Sequence, residues 1–144
     1  MAHWANTNGG NIPENAVRAG YEADGRPLYI ARARIDGIMT PGKAGSHLSG
    51  ACIPYGGQER VVEHYEILVM PSGSHGFYKW LPDCTDGFVP PNSVETDPGV
   101  FVGRFEHCGS LVPGKIHRDH RCAYIPYGGQ EVSSTCYESF VRIK

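Results

Sequence analysis

Two lysines, Lys43 and Lys115, stand in identical Pro-Gly-Lys triplets 72 residues apart. Each is followed at the same distance by the glutamate that ends an identical heptapeptide, Ile53 to Glu59 and Ile125 to Glu131. A long charged side chain is poor core material, and no turn requires lysine after Pro-Gly, so each lysine is a candidate donor facing a cleft. Glu59 and Glu131, preceded by Gln58 and Gln130, supply acceptors just beyond a glycine pair. Further acids precede each lysine: Glu22 and Asp24 in the first copy, Asp97 in the second. A lysine opposite a carboxylate suits a polyhydroxylated ligand, because each hydroxyl both donates and accepts. Hydrogen bonds to charged groups contribute about 1.5–3 kcal/mol, and an unpaired one is costly, which is how such a site would separate one sugar epimer from another. Tyr21, Tyr55 or Tyr127 would add an apolar face beneath a pyranose ring. The plainer alternatives are a solvated lysine at a strand start, and glutamates that serve as cross-strand salt bridges or turn supports.

The elements that position these residues repeat as well. Tyr65-Glu66 returns as Tyr137-Glu138 at the same offset, and no insertion falls between Tyr29 and Val69 or their partners Phe101 and Val141. Upstream the offset changes, because the crossing from Val17 to Tyr29 is five residues longer than the one from Val94 to Phe101. Runs rich in β-branched and aromatic residues, 28–35 and 100–107, predict strands, with Gly37 and Gly109 as punctuation. Segments 65–69 and 137–143 close each copy as strands. Tyr55-Gly56-Gly57-Gln58 predicts a tight hairpin, and Thr40-Pro41-Gly42-Lys43 a type II turn. Tyr65 and Tyr137 read as core, and Arg32 and Arg104 as half-buried partners of a repeated glutamate. Prolines interrupt most windows long enough for a helix. The expected fold is all-β: two tandem β-rich repeats, residues 1–71 and 72–144, with pseudo-twofold symmetry, packing as antiparallel sheets. A half of roughly 70 residues buries too little surface to stand alone, so a shared core is expected.

The 144 residues carry a net charge of −2 with pI near 6.4, which argues against a nucleic-acid partner. No apolar run reaches the roughly 18 residues of a membrane span. The N-terminus lacks a basic segment followed by an apolar one, so the expectation is a cytoplasmic chain, with unconventional secretion as the alternative. The five cysteines do not recur at equivalent positions, and free thiols are the default in a reducing compartment. Were a disulfide present, Cys108 with Cys122 or Cys136 would be the pair to check.

Rival chemistries have weaker signals. Paired carboxylates such as Glu59 and Glu131 serve glycoside hydrolysis only at a defined separation with one pKa raised, and no nucleophile elbow, P-loop or metalloprotease motif occurs. The expectation is therefore no enzyme. The segment 117–122 holds His117, Asp119, His120 and Cys122, but His117 and His120 would face opposite sides of a strand and need a turn to meet. Most matching positions of the first copy hold small residues, so no metal and no other cofactor is expected. A protein- or lipid-binding adaptor, with the repeats serving assembly, is the remaining alternative.

The ordered set (Asn-x-Val after proline, Tyr/Phe-Ile/Val-x-Arg, Pro-Gly-Lys, Ile-Pro-Tyr-Gly-Gly-Gln-Glu, Tyr-Glu) resembles the DM9 repeat, twice over nearly the whole chain. Characterised members are similar to invertebrate lectins that recognise mannose in innate immune pattern recognition, and related repeats occur beside pore-forming modules. The resemblance implies a metal-independent lectin for mannose-type glycans on microbial surfaces. It implies one site per repeat, with the Pro-Gly-Lys lysine and an acid from the preceding loop holding the sugar: Lys43 with Glu22 or Asp24, and Lys115 with Asp97. A homodimer without membrane insertion is the expected form, since linked sites raise avidity.

Overall fold

Pro41-Gly42-Lys43 and Pro113-Gly114-Lys115, expected as turns, lie inside strands. A computed structural model describes residues 2–83 and 88–143 of the chain, and its glycines give the physical reason. A Cβ on Gly42 would stand 2.2 Å from the Cys52 carbonyl oxygen, and one on Gly114 would stand 2.1 Å from that of Tyr124. Glycine is needed there because a neighbouring strand passes too close for any side chain. The reversals lie elsewhere, at Asp36-Gly37, Gly56-Gly57, Cys108-Gly109 and Gly128-Gly129, each with two successive residues at positive φ, as two-residue hairpins require. Gly114→Ala is therefore expected to cost about 1–3 kcal/mol by overpacking, read as a lowered urea midpoint. An unchanged midpoint would mean that the strands can part at this point.

The first repeat forms β1 (His3–Asn8), β2 (Arg18–Tyr21), β3 (Pro27–Ile35), β4 (Ile38–Ala44), β5 (Ala51–Tyr55), β6 (Gln58–Val62) and β7 (His64–Val69). The second forms β8 (Tyr78–Asp83), β9 (Glu95–Asp97), β10 (Val100–His107), β11 (Ser110–His117), β12 (Cys122–Tyr127), β13 (Gln130–Ser134) and β14 (Tyr137–Arg142). The strands expected at 28–35, 65–69, 100–107 and 137–143 are thus present. All but β2 and β9 follow the order β1-β7-β3-β4-β5-β6-β13-β12-β11-β10-β14-β8. Read from either end, the order visits equivalent strands of the two repeats, and its centre is the antiparallel pairing of Gln58 with Gln130. That centre is a pseudo-twofold axis. β2 pairs with its own β3 and with β11 of the other repeat, so the sheet curls back with barrel-like closure. The two repeats' sheets are thereby joined into one antiparallel network. Among the described residues no helix is long and apolar enough to cross a membrane.

Alternation along β3 explains how the repeats share a core. Ala31, Ala33 and Ile35 belong to a cluster within the first repeat, whereas Ile30 points the other way, to a cluster built from both. There Val17, Ala19, Leu68 and Met70 of the first repeat meet Val102 and Phe140 of the second. Trp80 and Tyr78 close over Phe140, with ring centroids 4.7 Å and 5.3 Å away. Tyr65 and Tyr137 are buried as expected, their hydroxyls donating to the carbonyls of Gly9 and Phe88. Arg32 and Arg104 pair with Glu66 and Glu138 at 2.6 Å each, and their guanidinium groups lie over Trp4 and Trp80.

The cysteines depart from expectation. Cys52, Cys108 and Cys122 are free, while Cys136 is disulfide-bonded, so neither pairing considered for Cys108 forms; Cys84 lies outside the described residues. Cys108 occupies an exposed hairpin turn at φ 51°, whereas Cys122 sits opposite His117 on β12. Burial, with Glu59 adding to it, pushes the Cys52 thiol up to about 11, so almost none of it is thiolate at neutral pH. A thiol-alkylating reagent at pH 8 is expected to label Cys108 and Cys122 in the native chain and Cys52 only after denaturation. Mass spectrometry showing native labelling of Cys52 at a similar rate would contradict this.

Candidate functional site

Lys43 and Lys115 are 5% and 7% exposed. Pairing fixes each one: Lys43 of β4 lies opposite Cys52 of β5, and Lys115 of β11 lies opposite Tyr124 of β12. The next strand in each case brings the glutamate. Lys43 Nζ is 3.4 Å from Glu59 Oε2, and Lys115 Nζ is 3.0 Å from Glu131 Oε2, the latter an ion-pair contact without hydrogen-bond geometry. The other carboxylate oxygen of each glutamate reaches across the pseudo-twofold axis. Gly129 N–H donates to Glu59 Oε1 and Gly57 N–H to Glu131 Oε1, both at 2.9 Å. The backbones interlock in the same sense, Glu59 N–H donating to Gly129 and Glu131 N–H to Gly57. Each glutamate is therefore at once salt-bridge partner of its own lysine and support for the opposite hairpin.

That exchange makes both sites composite. The interlocked hairpins place Tyr55 over the second repeat's lysine, with the ring centroid 5.1 Å from Lys115 Nζ, and Tyr127 toward the first repeat's, 5.8 Å from Lys43 Nζ. Lysine and glutamate come from one repeat and the tyrosine from the other. An ammonium facing an aromatic ring is stabilised by about 0.5–2 kcal/mol, more as water is excluded. The sequence brings these groups together in name, but the swap of tyrosines between repeats is a tertiary fact.

The cleft around Lys115 has a volume of about 320 Å³, and its walls include Tyr55, Tyr124, Glu131, His117 and His120. The size falls at the low end of the roughly 300–1,000 Å³ of small-molecule pockets and suits a single sugar ring. Lys115 Nζ also lies 5.2 Å from the Tyr124 centroid. β11 ends at His117 and a 3-10 turn over Arg118–His120 follows. That turn stacks the His117 and His120 rings at 3.7 Å with 8° between planes, and His120 Nδ1 is 2.9 Å from the Tyr124 hydroxyl. Asp97, expected beside Lys115, lines a separate shallow cleft with Glu95, Thr96 and Pro98. There it accepts a long, 3.5 Å contact from the Met39 N–H.

The first repeat's cleft is shaped differently. Glu22, Asp24 and Tyr127 line a cleft of about 280 Å³ together with Arg26 and Ser110. Glu22 Oε2 is 2.7 Å from His47 Nε2, both largely buried. Asp24 is exposed and bound to Arg26 at 2.8 Å, which holds its carboxyl below the usual value. Both acids left open by the sequence line this cleft, Glu22 paired with His47 and Asp24 with Arg26, whereas Lys43 pairs with Glu59 and is not among the lining residues.

Three contributors were not expected in a sugar site, although His117 and His120 were weighed as metal ligands that needed a turn to meet, and a turn does bring them together. Tyr124 replaces Cys52 at the matching position, and His117 and His120 replace Gly45 and Leu48. The signal was available in the repeat offset, which marks them as departures at positions flanking the lysine. Their convergence depends on the 3-10 turn, which no local pattern announces.

Comparison with known proteins follows the same outline. The family model for the DM9 repeat matches residues 1–62 and 46–134. Natterin-4 of Thalassophryne nattereri is 32% identical over 89% of the chain, and natterin-3 of the same fish is 28% identical over 85%. The chain spans only 30% and 31% of the length of these two relatives. Among solved structures, the nematode sperm cell motility protein MFP2B superposes on 100% of the chain and 47% of its own, with a TM-score of 0.73 at 21% identity. That likeness concerns the fold alone.

Proposed function

The chain belongs to the DM9-repeat family, and from that premise we propose that it is a lectin that binds mannose-type sugars, one at each of its two composite clefts, without a metal. The observation that carries this reading is the buried, cross-braced Lys–Glu pair beside a tyrosine face, present twice. A lysine fixed in this way donates from a preset position, so little side-chain entropy is lost on binding. A pyranose laid on Tyr55 or Tyr127 presents ring hydroxyls to the lysine and carboxylates, each able to donate and accept. In the first site Lys43 and Glu59 hold the sugar with Glu22. In the second Lys115 and Glu131 do so with Tyr124.

Binding is favoured over catalysis by the state of the carboxylates. Glu59 and Glu131 are each engaged by a lysine and a backbone amide, so both already serve the brace that presents the lysines. Family membership supports carbohydrate binding; mannose preference, microbial targets and a part in innate immunity extend that reading. Two sites per chain, and a homodimer of such chains, would convert weak single-site affinity into avidity on a surface that repeats its sugar. Titration calorimetry with mannose, glucose and galactose in the presence of EDTA tests the proposal. The expected result is mannose-selective heat with two sugars per chain; the absence of heat with all three sugars would sink it and favour an adaptor whose repeats serve assembly.

A further inference from the structure

The two clefts differ chemically, and the differences lie outside the repeated text. Gly45, Leu48 and Cys52 of the first repeat correspond to His117, His120 and Tyr124 of the second. The cleft on the Tyr127 side is lined by an acid, Glu22, that pairs with His47, while Lys43 and Glu59 are not among its lining residues. The second has no such acid on its walls: Lys115 is matched by Glu131, Asp97 stands in its own cleft, and the added groups are two imidazoles. We propose that the second site, while accepting mannose, prefers a mannose-type sugar bearing an anionic substituent, held against Lys115 and the His117–His120 pair, and that the first prefers a neutral sugar. This rests on the lectin reading above.

The stacked rings supply the mechanism. His120 Nδ1 is engaged by Tyr124, while His117 Nδ1 is buried with no protein partner. Two imidazoles 3.7 Å apart resist sharing a second positive charge. Burial first, then His120 and Lys115, hold His117 below the usual imidazole range, while Asp119 and Glu131 act in the opposite sense. The other charged or titratable neighbours are Arg118, paired with Glu95 at 3.5 Å, and Cys122, opposite His117 in the β11–β12 pairing. Tyr124 stays a neutral phenol, its pKa raised chiefly by burial. An anion in the cleft would provide the countercharge that protonation lacks, so its binding would draw in a proton. Affinity for a permanently anionic sugar therefore rises as the pH falls toward the imidazole range.

Calorimetry of the intact chain at pH 7.5 and 5.5 tests this with mannose, methyl mannuronoside and mannose 6-phosphate. The uronate carries the pH test, because a phosphate monoester itself titrates near pH 6; the phosphate arm, at pH 7.5, tells whether any anion suffices. The expected result is one uronate per chain, tightening roughly tenfold between the two pH values, as uptake of one proton allows. His117→Gln should abolish that pH dependence while leaving mannose binding at the first site, and His120→Leu, which places the residue type of Leu48 at an exposed position, should weaken the preference for the uronate. The proposal is overturned if the uronate binds no better than mannose at either pH, or if its preference survives both substitutions. Failure of the lectin reading itself would look different, with no heat from mannose or either anionic sugar.

Discussion

Glu131→Ala is expected to destabilise the whole chain by about 3–5 kcal/mol, because removing one partner of a buried ion pair leaves the other uncompensated. The side chains of Lys115 and Glu131 are only 8% and 10% exposed, so solvent screens the orphaned ammonium poorly. The same substitution removes the acceptor of Gly57 N–H and loosens the first repeat's hairpin, although the mutated residue belongs to the second. Urea unfolding should show a single transition at a lower midpoint, since the repeats share the Ile30–Val102–Phe140 core. A loss below 1 kcal/mol, or two separated transitions, would contradict the cross-braced picture. Glu59→Ala should act in the same direction with a smaller effect, because its ion pair is longer, at 3.4 Å, and Glu59 is 15% exposed.

Lys43→Ala and Lys115→Ala should each reduce the sugar stoichiometry from two per chain to one. A charge-assisted hydrogen bond of about 1.5–3 kcal/mol lost from a weak monosaccharide site lowers its affinity by tenfold or more, below detection in most titrations. On a mannose-coated surface either variant should lose more apparent affinity than it loses at its remaining site, because avidity needs both. Complete loss from either single variant would instead mean that the two clefts act as one. Thermal melts of both variants are needed alongside, because each substitution also strands a glutamate.

The strands, the hairpins at the glycine pairs, the tyrosine cores and the Arg–Glu pairs were legible because each rests on local pattern or on repeat pairing. Arg32 and Arg104 recur mid-strand at the same offset as Glu66 and Glu138, and alternation places each pair on one face. Pro41-Gly42 misled because proline followed by glycine is a turn signal in isolation. Only the approach of β5, which brings the Cys52 carbonyl to Gly42, shows that this glycine answers a packing demand. The site divided in the same way. The lysines were visible as repeated charges without a turn to explain them, and the glutamates serve in the structure as the cross-strand salt bridges and turn supports that were their plainer reading. The exchange of Tyr55 and Tyr127 between repeats, and the displacement of Asp97 from Lys115, follow from the pseudo-twofold axis and a shortened crossing, which only the assembled sheet displays.

If sugars sit at two clefts braced by the interlocked hairpins, the backbone amides of Gly57 and Gly129 report on both. Titrating the 15N-labelled chain with mannose and following the amide resonances tests it most directly. Shifts are expected at Gly57 and Gly129 and around Lys43 and Lys115, saturating together or in two steps. Shifts confined to surfaces away from both hairpins, or none at all, would contradict it.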